Sequence, residues 1–259
     1  MEIKDIRIFL KKYINEDIIY IPNPGNAGDS IIVYGTLQIF NEIELKYSIG
    51  SINKIYNNKL LIYAGGGNLV GLYKNCYNFL KNNKDNNKII ILPHSIKDED
   101  DLLSSLNDNI IIICREIPSY NYVKNIVKYK NNVYLSKDMA FYIKNINNYI
   151  KIKGNGICNA YRIDCEKTNI DIPSNNIDLS ISLRKIGNTT NIISINEVSI
   201  SIFEYLSKFE VINTNRLHIA IAGSLLNKIV NLYSNSYYKN KAIYVYSIKD
   251  VFKNTTFIE

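Results

Sequence analysis

The sequence predicts an α/β protein whose strands form parallel sheets. Short runs of β-branched apolar residues recur along the 259-residue chain, and each run is followed by a turn and a segment of helical periodicity. Strands that alternate with helices in this way pair in parallel, and the helices cover both faces of the sheet. The pattern restarts after Gly154-Asn155-Gly156, which predicts two such units in one chain.

The predicted elements follow one another in a regular order. In the first half, the strands are at 17–21, 59–64, 88–92, 109–114 and 133–135, and the helices are at 30–41, 69–82, 99–106 and 118–128. In the second half, the strands are at 157–161, 179–183, 210–213 and 228–233, and the helices are at 197–208 and 216–226. An Asn- and Lys-rich segment at 144–155 separates the halves, so we expect domains at 1–150 and 151–259.

The composition is that of a globular protein, with 46% hydrophobic and 21% charged residues. A formal charge of +7 is consistent with an acidic partner such as a phosphorylated metabolite, a lipid-linked phosphate, an anionic membrane surface or nucleic acid. The lysines are scattered among asparagines and acidic residues, and the sequence has no nucleic-acid-binding motif or dense basic stripe. We therefore expect most lysines to be solvated and expect no nucleic-acid partner.

Cysteine usage and the N-terminus predict a soluble cytoplasmic protein. Cys76, Cys114, Cys158 and Cys165 lack the spacing of a zinc site, which favours free thiols. The N-terminus is charged, unlike a secretory signal, and no apolar run approaches the roughly 20 residues that span a bilayer. Peripheral contact with the inner face of the membrane stays open, because a basic protein acting on a lipid-linked substrate could dock there.

The stretch 211–218 is the most informative in the chain. It places Arg216 and His218, one of only two histidines, where a predicted strand turns into a helix. The first N–H groups of a helix lack partners within the helix, and the helix dipole adds partial positive charge. A guanidinium matches carboxylate or phosphate oxygens, and an imidazole can carry a proton near neutral pH. The combination predicts a site for a small anionic substrate.

Two glycine-containing loops follow strands of the first half. In the first loop, Gly25 and Gly28 permit tight turns and close approach, while Asn26 and Asp29 offer polar groups at a helix start. Asp29 could equally be a simple helix N-cap. The second loop is Gly65-Gly66-Gly67-Asn68, and three successive glycines favour close approach of a ligand over a plain flexible turn.

Isolated polar residues follow the remaining strands, and each has a structural alternative. His94 could line a pocket or be a packed structural histidine, Arg115 could bind a ligand or form a surface ion pair with Glu116, and Asp138 could cap a helix. In the second half, Arg162 could be another anion ligand oriented by Asp164 or Glu166, or part of a salt-bridged surface turn. Lys239 and Lys241 follow two tyrosines and could bind phosphate or sugar, or be solvated.

Taken together, these residues resemble those of the polysaccharide pyruvyltransferase family. The matching motifs are Gly25-Asn26-Ala27-Gly28-Asp29, Gly65-Gly66-Gly67-Asn68, Pro93-His94-Ser95, Arg115-Glu116 with Ser119-Tyr120, Asp138-Met139-Ala140, Arg162-Ile163-Asp164-Cys165-Glu166 and Thr214-Asn215-Arg216-Leu217-His218. The family often has glutamine where this chain has His94. The resemblance extends through most of the chain.

The resemblance implies a GT-B-like fold, in which two Rossmann-like parallel-sheet domains face a central cleft. It also implies transfer of a pyruvyl group from phosphoenolpyruvate to a sugar of a polysaccharide or lipid-linked glycan precursor, forming a ketal. The donor would be bound by Arg162, Arg216 and His218, to which we add Lys239. The residues expected on the acceptor side are Asn26, Asp29, Gly66, Gly67, Asn68, His94 and Arg115.

Within this scheme, His218 is the first candidate for the acid that protonates the donor's methylene carbon, or for a ligand of the departing phosphate. Asp29 is a candidate base for the acceptor hydroxyl, or a residue that orients the acceptor. Phosphoenolpyruvate serves as co-substrate, and we expect neither a resident cofactor nor a metal ion. Two other readings stay open: a nucleotide-sugar glycosyltransferase on the same fold, and a non-catalytic module that binds glycans or anions.

Overall fold

The computed structural model describes residues 1–183 and 191–259, and the fold divides into two compact units. The first unit consists of Met1–Asn23 and Thr36–Met139, and the second of Pro24–Gly35 and Ala140–Glu259. The sequence predicted a boundary at residue 150, whereas the second unit begins at Ala140 and also includes the segment 24–35. That segment, a short loop and the first turns of a helix, joins the second unit because Ala27 and Ile31 are fully buried in its apolar core.

The first unit is built on a parallel sheet of apolar strands. The strands are β1 (Ile18–Ile21), β2 (Tyr47–Ile49), β3 (Leu60–Tyr63), β4 (Gly66–Leu69), β5 (Lys88–Ile96), β6 (Ile110–Cys114) and β7 (Val133–Leu135). They lie in the order β2-β1-β3-β5-β6-β7, with β4 paired to the end of β5. Every residue of β3 is buried, as expected for a strand covered on both faces.

Helices connect these strands. They are α1 (Ile6–Leu10), α2 (Ala27–Glu42), α3 (Asn75–Asn83), α4 (Asp100–Ser104) and α5 (Ile117–Ile126). Helix α1 begins where the Asp5 carboxylate accepts a hydrogen bond from the backbone N–H of Arg7. Helix α5 begins with Pro118 in its first turn, where the missing N–H costs nothing. The alternation of strand and helix predicted from the sequence is therefore confirmed in this unit.

The second unit has a smaller parallel sheet. Its described strands are β8 (Ile157–Asn159), β9 (Val211–Thr214), β10 (Ile229–Tyr233) and β11 (Thr255–Ile258), in the order β11-β10-β9-β8. Its described helices are α6 (Asn147–Ile150), α7 (Leu179–Ser182), α8 (Ile192–Ser207), α9 (Leu217–Leu225) and α10 (Lys239–Ile243). Phe203, Ile212 and Val230 are fully buried in one core. The structure thus confirms an α/β protein with parallel sheets of Rossmann-like type.

One predicted strand is wrong. Residues 179–183 alternate apolar and polar side chains, which predicted a strand, but Leu179–Ser182 forms the short helix α7. The alternation does not correspond to burial, because Ser180 is buried while Ile181 is 37% exposed. The helical turn is held by the backbone carbonyl of Asp178, which accepts hydrogen bonds from the N–H groups of Ile181 and Ser182.

Three short strands, β2, β4 and β11, were not predicted. Strand β4 contains Gly66 and Gly67, and glycine disfavours strands unless a neighbour supplies the pairing. The helix predicted from residue 69 begins only at Asn75, since the preceding residues are occupied by β4 and a turn. Among the described helices, none combines the length and apolar character needed to cross a membrane.

Candidate functional site

The carboxyl edge of the second sheet carries a cluster of buried charged side chains. Arg162 follows β8, Arg216 follows β9, and Lys239 follows β10 and begins α10. All three side chains are at most 10% exposed. Because parallel strands end at one edge of a sheet, residues distant in the sequence meet there. We call these three cations, together with Asp164, Glu166 and Asp178, the ionic cluster.

Arg162 is held by two carboxylates of its own loop. Its Nε and Nη2 donate to Oδ1 and Oδ2 of Asp164 at 2.7 and 3.0 Å, which is a bidentate pair. Its Nη1 donates to Oε2 of Glu166 at 2.6 Å. The sequence left open whether Asp164 or Glu166 would orient Arg162, and in the structure both do. Arg162 and Glu166 are buried while Asp164 is 27% exposed, so the turn is salt-bridged as the alternative predicted, but the guanidinium group does not lie at the surface.

Arg216 makes a second bidentate pair. Its Nε and Nη2 donate to Oδ1 and Oδ2 of Asp178 at 2.9 and 2.6 Å. Its Nη2 also lies 2.8 Å from Oδ2 of Asp164, so Asp164 bridges the two guanidinium groups. Asp178 additionally accepts a hydrogen bond from the backbone N–H of Ile163 at 3.0 Å. This carboxylate therefore links the loop after β8 to the start of α9.

Lys239 completes the cluster through Glu166. Its Nζ donates to Oε2 of Glu166 at 2.8 Å, and the same oxygen accepts from the side-chain amide of Asn235 at 3.3 Å. Three cations thus share three carboxylates, which is the balance that buried charges require. Lys239 belongs to the cluster, whereas Lys241, which shared its sequence prediction, is 61% exposed and pairs with Glu259.

The ionic cluster changes the protonation equilibria of its members. Burial lowers the pKa of Arg162, but the carboxylates of Asp164 and Glu166 outweigh burial and raise this pKa overall. Burial alone would raise the pKa of Asp164, yet hydrogen bonds and attraction from Arg162, with further attraction from Arg216, lower it below its usual value. Both residues are therefore charged at neutral pH.

Asparagine side chains hold the strand ends in place. Oδ1 of Asn215 accepts a hydrogen bond from the backbone N–H of Arg162 at 2.7 Å. The Asn240 amide donates to the backbone carbonyls of Asn215 and Tyr233, both at 2.9 Å. Asp178, Asn235 and Asn240 were not predicted from the sequence. Asparagine is so common in this chain that Asn235 and Asn240 do not stand out, and no local motif marks Asp178.

The loop before α2 forms a reciprocal helix cap in the second unit. Oδ1 of Asn26 accepts from the N–H of Gly28 at 2.8 Å, and Oδ2 of Asp29 accepts from the N–H of Asn26 at 2.9 Å. This is the geometry of a capping box, in which Asn26 rather than Asp29 is the N-cap. A Cβ at Gly25 would overlap the Asp29 carboxylate, and one at Gly28 would lie 3.0 Å from Nδ1 of His218. Asn26 and His218 therefore both lie against Gly28.

In the first unit, His94 is a buried residue at the end of β5. It is 0% exposed, and its Nε2 lies 2.8 Å from Oδ1 of Asn68 and 3.2 Å from the backbone nitrogen of Asn68. The Asn68 amide also donates to Asn23 and to the Tyr63 hydroxyl. Burial and the neighbouring Arg115 cation lower the pKa of His94 to about 3, so its ring is neutral at physiological pH.

Arg115 is also buried, at 1% exposed, and its Nε lies 4.0 Å from Oε2 of Glu116, so the predicted ion pair with Glu116 is present but is not at the surface. Its Nη1 donates to Oδ2 of Asp138 at 2.7 Å, and its Nε donates to the Ser95 hydroxyl at 2.8 Å. Ser95 in turn donates to Glu116 at 3.0 Å, and burial raises the pKa of Glu116. These bonds tie together the ends of β5, β6 and β7. Asp138 therefore pairs with Arg115, which the sequence did not predict.

The predicted site residues thus fall into two groups. The second unit contains the predicted donor residues Arg162, Arg216, His218 and Lys239, together with Asn26 and Asp29. The first unit contains Gly66, Gly67, Asn68, His94 and Arg115. Of the three glycines in the second loop, Gly67 is the only one with an accessible surface, while Gly65 and Gly66 are buried beside β5.

Comparisons with known proteins identify what kind of protein carries these sites. One solved structure, from Klebsiella pneumoniae subsp. pneumoniae NTUH-K2044 and described as functionally uncharacterized, has 34% sequence identity and a TM-score of 0.86. The match covers 98% of this chain and 97% of that chain. The comparison with curated proteins found no match.

The two parallel sheets and the charged strand ends define a Rossmann-like α/β protein. The sequence profile of the polysaccharide pyruvyl transferase family matches residues 26–237, which include Asn26, Asp29 and every member of the ionic cluster except Lys239. The chain therefore belongs to the polysaccharide pyruvyl transferase family, as its sequence motifs predicted. Membership makes it a transferase of pyruvyl groups that acts in polysaccharide synthesis.

Proposed function

We propose that this protein transfers the pyruvyl group of phosphoenolpyruvate to a sugar of a polysaccharide or lipid-linked glycan precursor and forms a pyruvate ketal. The proposal includes the GT-B-like fold that the family resemblance implies. Support for the transfer itself comes from family membership. Support for the donor comes from the chemistry of the second unit.

The observation that carries the proposal is the pair of guanidinium groups joined by one carboxylate oxygen. Oδ2 of Asp164 lies 3.0 Å from Nη2 of Arg162 and 2.8 Å from Nη2 of Arg216. Two arginines that converge on one oxygen anion suit a donor that carries both a carboxylate and a phosphate. Each charge-assisted hydrogen bond of this kind contributes about 1.5–3 kcal/mol. Lys239 adds a third cation, which is joined to Arg162 through one shared carboxylate.

Ketal formation requires proton transfer and loss of phosphate. A proton adds to the methylene carbon, which becomes the methyl group, and one sugar hydroxyl adds to the neighbouring carbon. A second hydroxyl then replaces the phosphate, which leaves as the inorganic ion. His218 lies in the first turn of α9, two residues after Arg216. We assign it the role of the acid or of a ligand of the phosphate. Such acid–base assistance contributes about 10²–10⁴ in rate.

For the acceptor we keep Asn26, Asp29, Gly66, Gly67 and Asn68, and we assign His94 and Arg115 a supporting role. Asn26 lies against Gly28, as His218 does, and the partly exposed Asp29 is the candidate base for a sugar hydroxyl. In the first unit, Gly67 offers partly exposed backbone and Asn68 offers a polar side chain. The buried His94 and Arg115 support the ends of the strands rather than contact the sugar. The proposal places the reaction in the cytoplasm, with peripheral membrane contact when the acceptor is lipid-linked.

The direct test is incubation of the purified protein with phosphoenolpyruvate and a panel of glycans. We expect release of inorganic phosphate and addition of one pyruvyl ketal to the glycan, detected by mass spectrometry. A His218→Ala variant should lose most of this activity while its unfolding temperature stays close to that of the wild type. If the variant remains fully active, His218 has no catalytic role.

A ligand screen by thermal unfolding separates the proposal from its alternatives. Phosphoenolpyruvate should raise the unfolding temperature, because a ligand that binds only the folded state stabilises it. Stabilisation by a UDP- or GDP-sugar, with none by phosphoenolpyruvate, would instead indicate a glycosyltransferase. Glycan binding without phosphate release at high protein concentration would indicate a non-catalytic module.

A further inference from the structure

The Asp164 carboxylate makes the contacts that a ligand carboxylate would make. Its two oxygens accept one hydrogen bond each from Nε and Nη2 of Arg162, and Oδ2 also lies 2.8 Å from Nη2 of Arg216. Bidentate pairing with a guanidinium is how arginine recognises the carboxylate of a substrate. Asp164 therefore occupies the position where both arginines together bind a carboxylate best.

Asp164 differs from the other two carboxylates of the ionic cluster in exposure. Its side chain is 27% exposed, whereas Glu166 is 4% and Asp178 is 2% exposed. Glu166 and Asp178 are thus internal counterions that cannot leave without opening the fold. They neutralise two of the three cations, and Asp164, at the surface of the cluster, neutralises the third.

The loop around Asp164 does not depend on its bonds to the arginines. The backbone carbonyl of Asp164 accepts from the N–H of Lys167 at 2.9 Å, and the N–H of Ile163 donates to Asp178. The N–H of Arg162 donates to Asn215. Oδ1 of Asp164 also accepts from the N–H of Glu166 at 3.1 Å, a local turn that other acceptors can make. Rotation of the Asp164 side chain toward solvent would break this bond to Glu166 but would leave the bonds made by the N–H groups of Arg162, Ile163 and Lys167 in place.

We propose that Asp164 is an internal ligand of Arg162 and Arg216, and that the donor's carboxylate binds by displacing it. The inference rests on the proposed function, since it takes phosphoenolpyruvate as the donor. Asp164 acts as a specificity-determining residue because a small anion must compete with a carboxylate already in place. A donor that presents both a carboxylate and a phosphate supplies the additional interactions that make displacement favourable.

The test measures binding of phosphoenolpyruvate and of pyruvate by calorimetry to the wild type and to Asp164→Asn. The amide keeps the size of the side chain and removes the competing charge, so we expect both ligands to bind at least about tenfold more tightly. Asp171→Asn is the matched control, because Asp171 is exposed in the same unit and its loss changes the net charge equally. We expect its affinities to lie within about twofold of the wild type.

A second variant protects the test against misfolding. Asp164→Ser keeps a hydroxyl oxygen that can accept from the N–H of Glu166, and it should show the same tightening. Circular dichroism and thermal unfolding verify that each variant is folded. Weaker or unchanged binding of both carboxylates to the folded variants would overturn the inference, because Asp164 would then be only an orienting residue for Arg162.

The remaining outcomes separate this inference from the proposed function. If Asp164→Asn binds pyruvate more tightly but neither the wild type nor the variant turns over phosphoenolpyruvate, the internal-ligand inference stands and the proposed function fails. If phosphoenolpyruvate is turned over but removal of Asp164 weakens its binding, the proposed function stands and the inference fails. Tighter binding of inorganic phosphate alone, without pyruvate, would also overturn the inference.

Discussion

Gly28 lies so close to His218 that a Cβ added to the glycine would be 3.0 Å from Nδ1 and 3.3 Å from Cβ of the histidine. Gly28 is in the first turn of α2, and His218 is in the first turn of α9. The missing side chain allows these two helix starts to approach each other. The same Cβ would lie 2.9 Å from Oδ1 of Asn26, which caps α2.

Gly28→Ala should therefore impair catalysis more than folding. The new methyl group has to displace the imidazole or the Asn26 side chain by a few tenths of an ångström. We expect kcat to fall by about tenfold or more, because His218 is catalytic in the proposed function and small displacements of a catalytic group are costly. Loss of the helix cap should lower the free energy of unfolding by about 1 kcal/mol. Steady-state kinetics and urea unfolding measure the two effects.

Gly156→Ala is the matched control for this change. Gly156 has a φ of +72°, so alanine strains the backbone there, but nothing lies within 4 Å of the added Cβ. We expect a destabilisation of about 1 kcal/mol with an unchanged kcat. Equal kcat values for the two variants would mean that the packing of Gly28 on His218 has no catalytic consequence.

Arg216→Lys tests the need for a guanidinium group rather than a positive charge. Lysine keeps the charge but has one nitrogen, so it cannot make both the pair with Asp178 and the bond to Asp164. We expect the KM for phosphoenolpyruvate to rise by about 10–100-fold, with a smaller change in kcat. Lys241→Ala removes an exposed cation of the same unit and should leave KM unchanged. A KM shift of equal size in both variants would indicate a general effect of charge.

The sequence predicted those features that local patterns encode. Runs of apolar residues predicted β3 and β6, and the position of Arg162 and Arg216 just after predicted strands identified them as candidate site residues. Asp178 was missed because it pairs with Arg216 across 38 residues and precedes a run whose alternation imitates a strand. The segment 24–35, which contains the loop before α2 and the first turns of that helix, was assigned to the first half because its packing against the second core has no local signature. Long-range pairing decided both cases.

His94→Gln should reduce the acid sensitivity of the fold. The pKa of His94 is about 3 in the folded protein, whereas an ordinary histidine, as in the unfolded chain, has a pKa of 6.5. As pH falls, the unfolded chain therefore takes up the proton first. The stability that depends on the neutral ring is fully present above about pH 6.5 and is lost as pH falls toward 3, at up to about 1.4 kcal/mol per pH unit. Glutamine does not titrate in this range.

Urea unfolding of both proteins from pH 7 to pH 5 measures this difference, because all other groups titrate alike in the two chains. We expect the wild type to lose about 2 kcal/mol more than His94→Gln over this range. Parallel pH profiles would show that His94 is protonated equally in the folded and unfolded states.

The Glu166–Lys239 pair tests how burial changes the strength of an ion pair. Nζ of Lys239 lies 2.8 Å from Oε2 of Glu166, and the side chains are 10% and 4% exposed. A double-mutant cycle with Glu166→Gln and Lys239→Met should give a coupling energy of about 1–3 kcal/mol, because each single change leaves a buried charge without this partner.

The exposed Lys59–Asp17 pair has a similar length, 2.6 Å, and side chains that are 42% and 75% exposed. Its cycle with Lys59→Met and Asp17→Asn should give less than about 1 kcal/mol, since water screens the pair. Equal coupling energies in the two cycles would show that the ionic cluster is as hydrated as the surface, and Arg162 and Arg216 would then gain little from their burial.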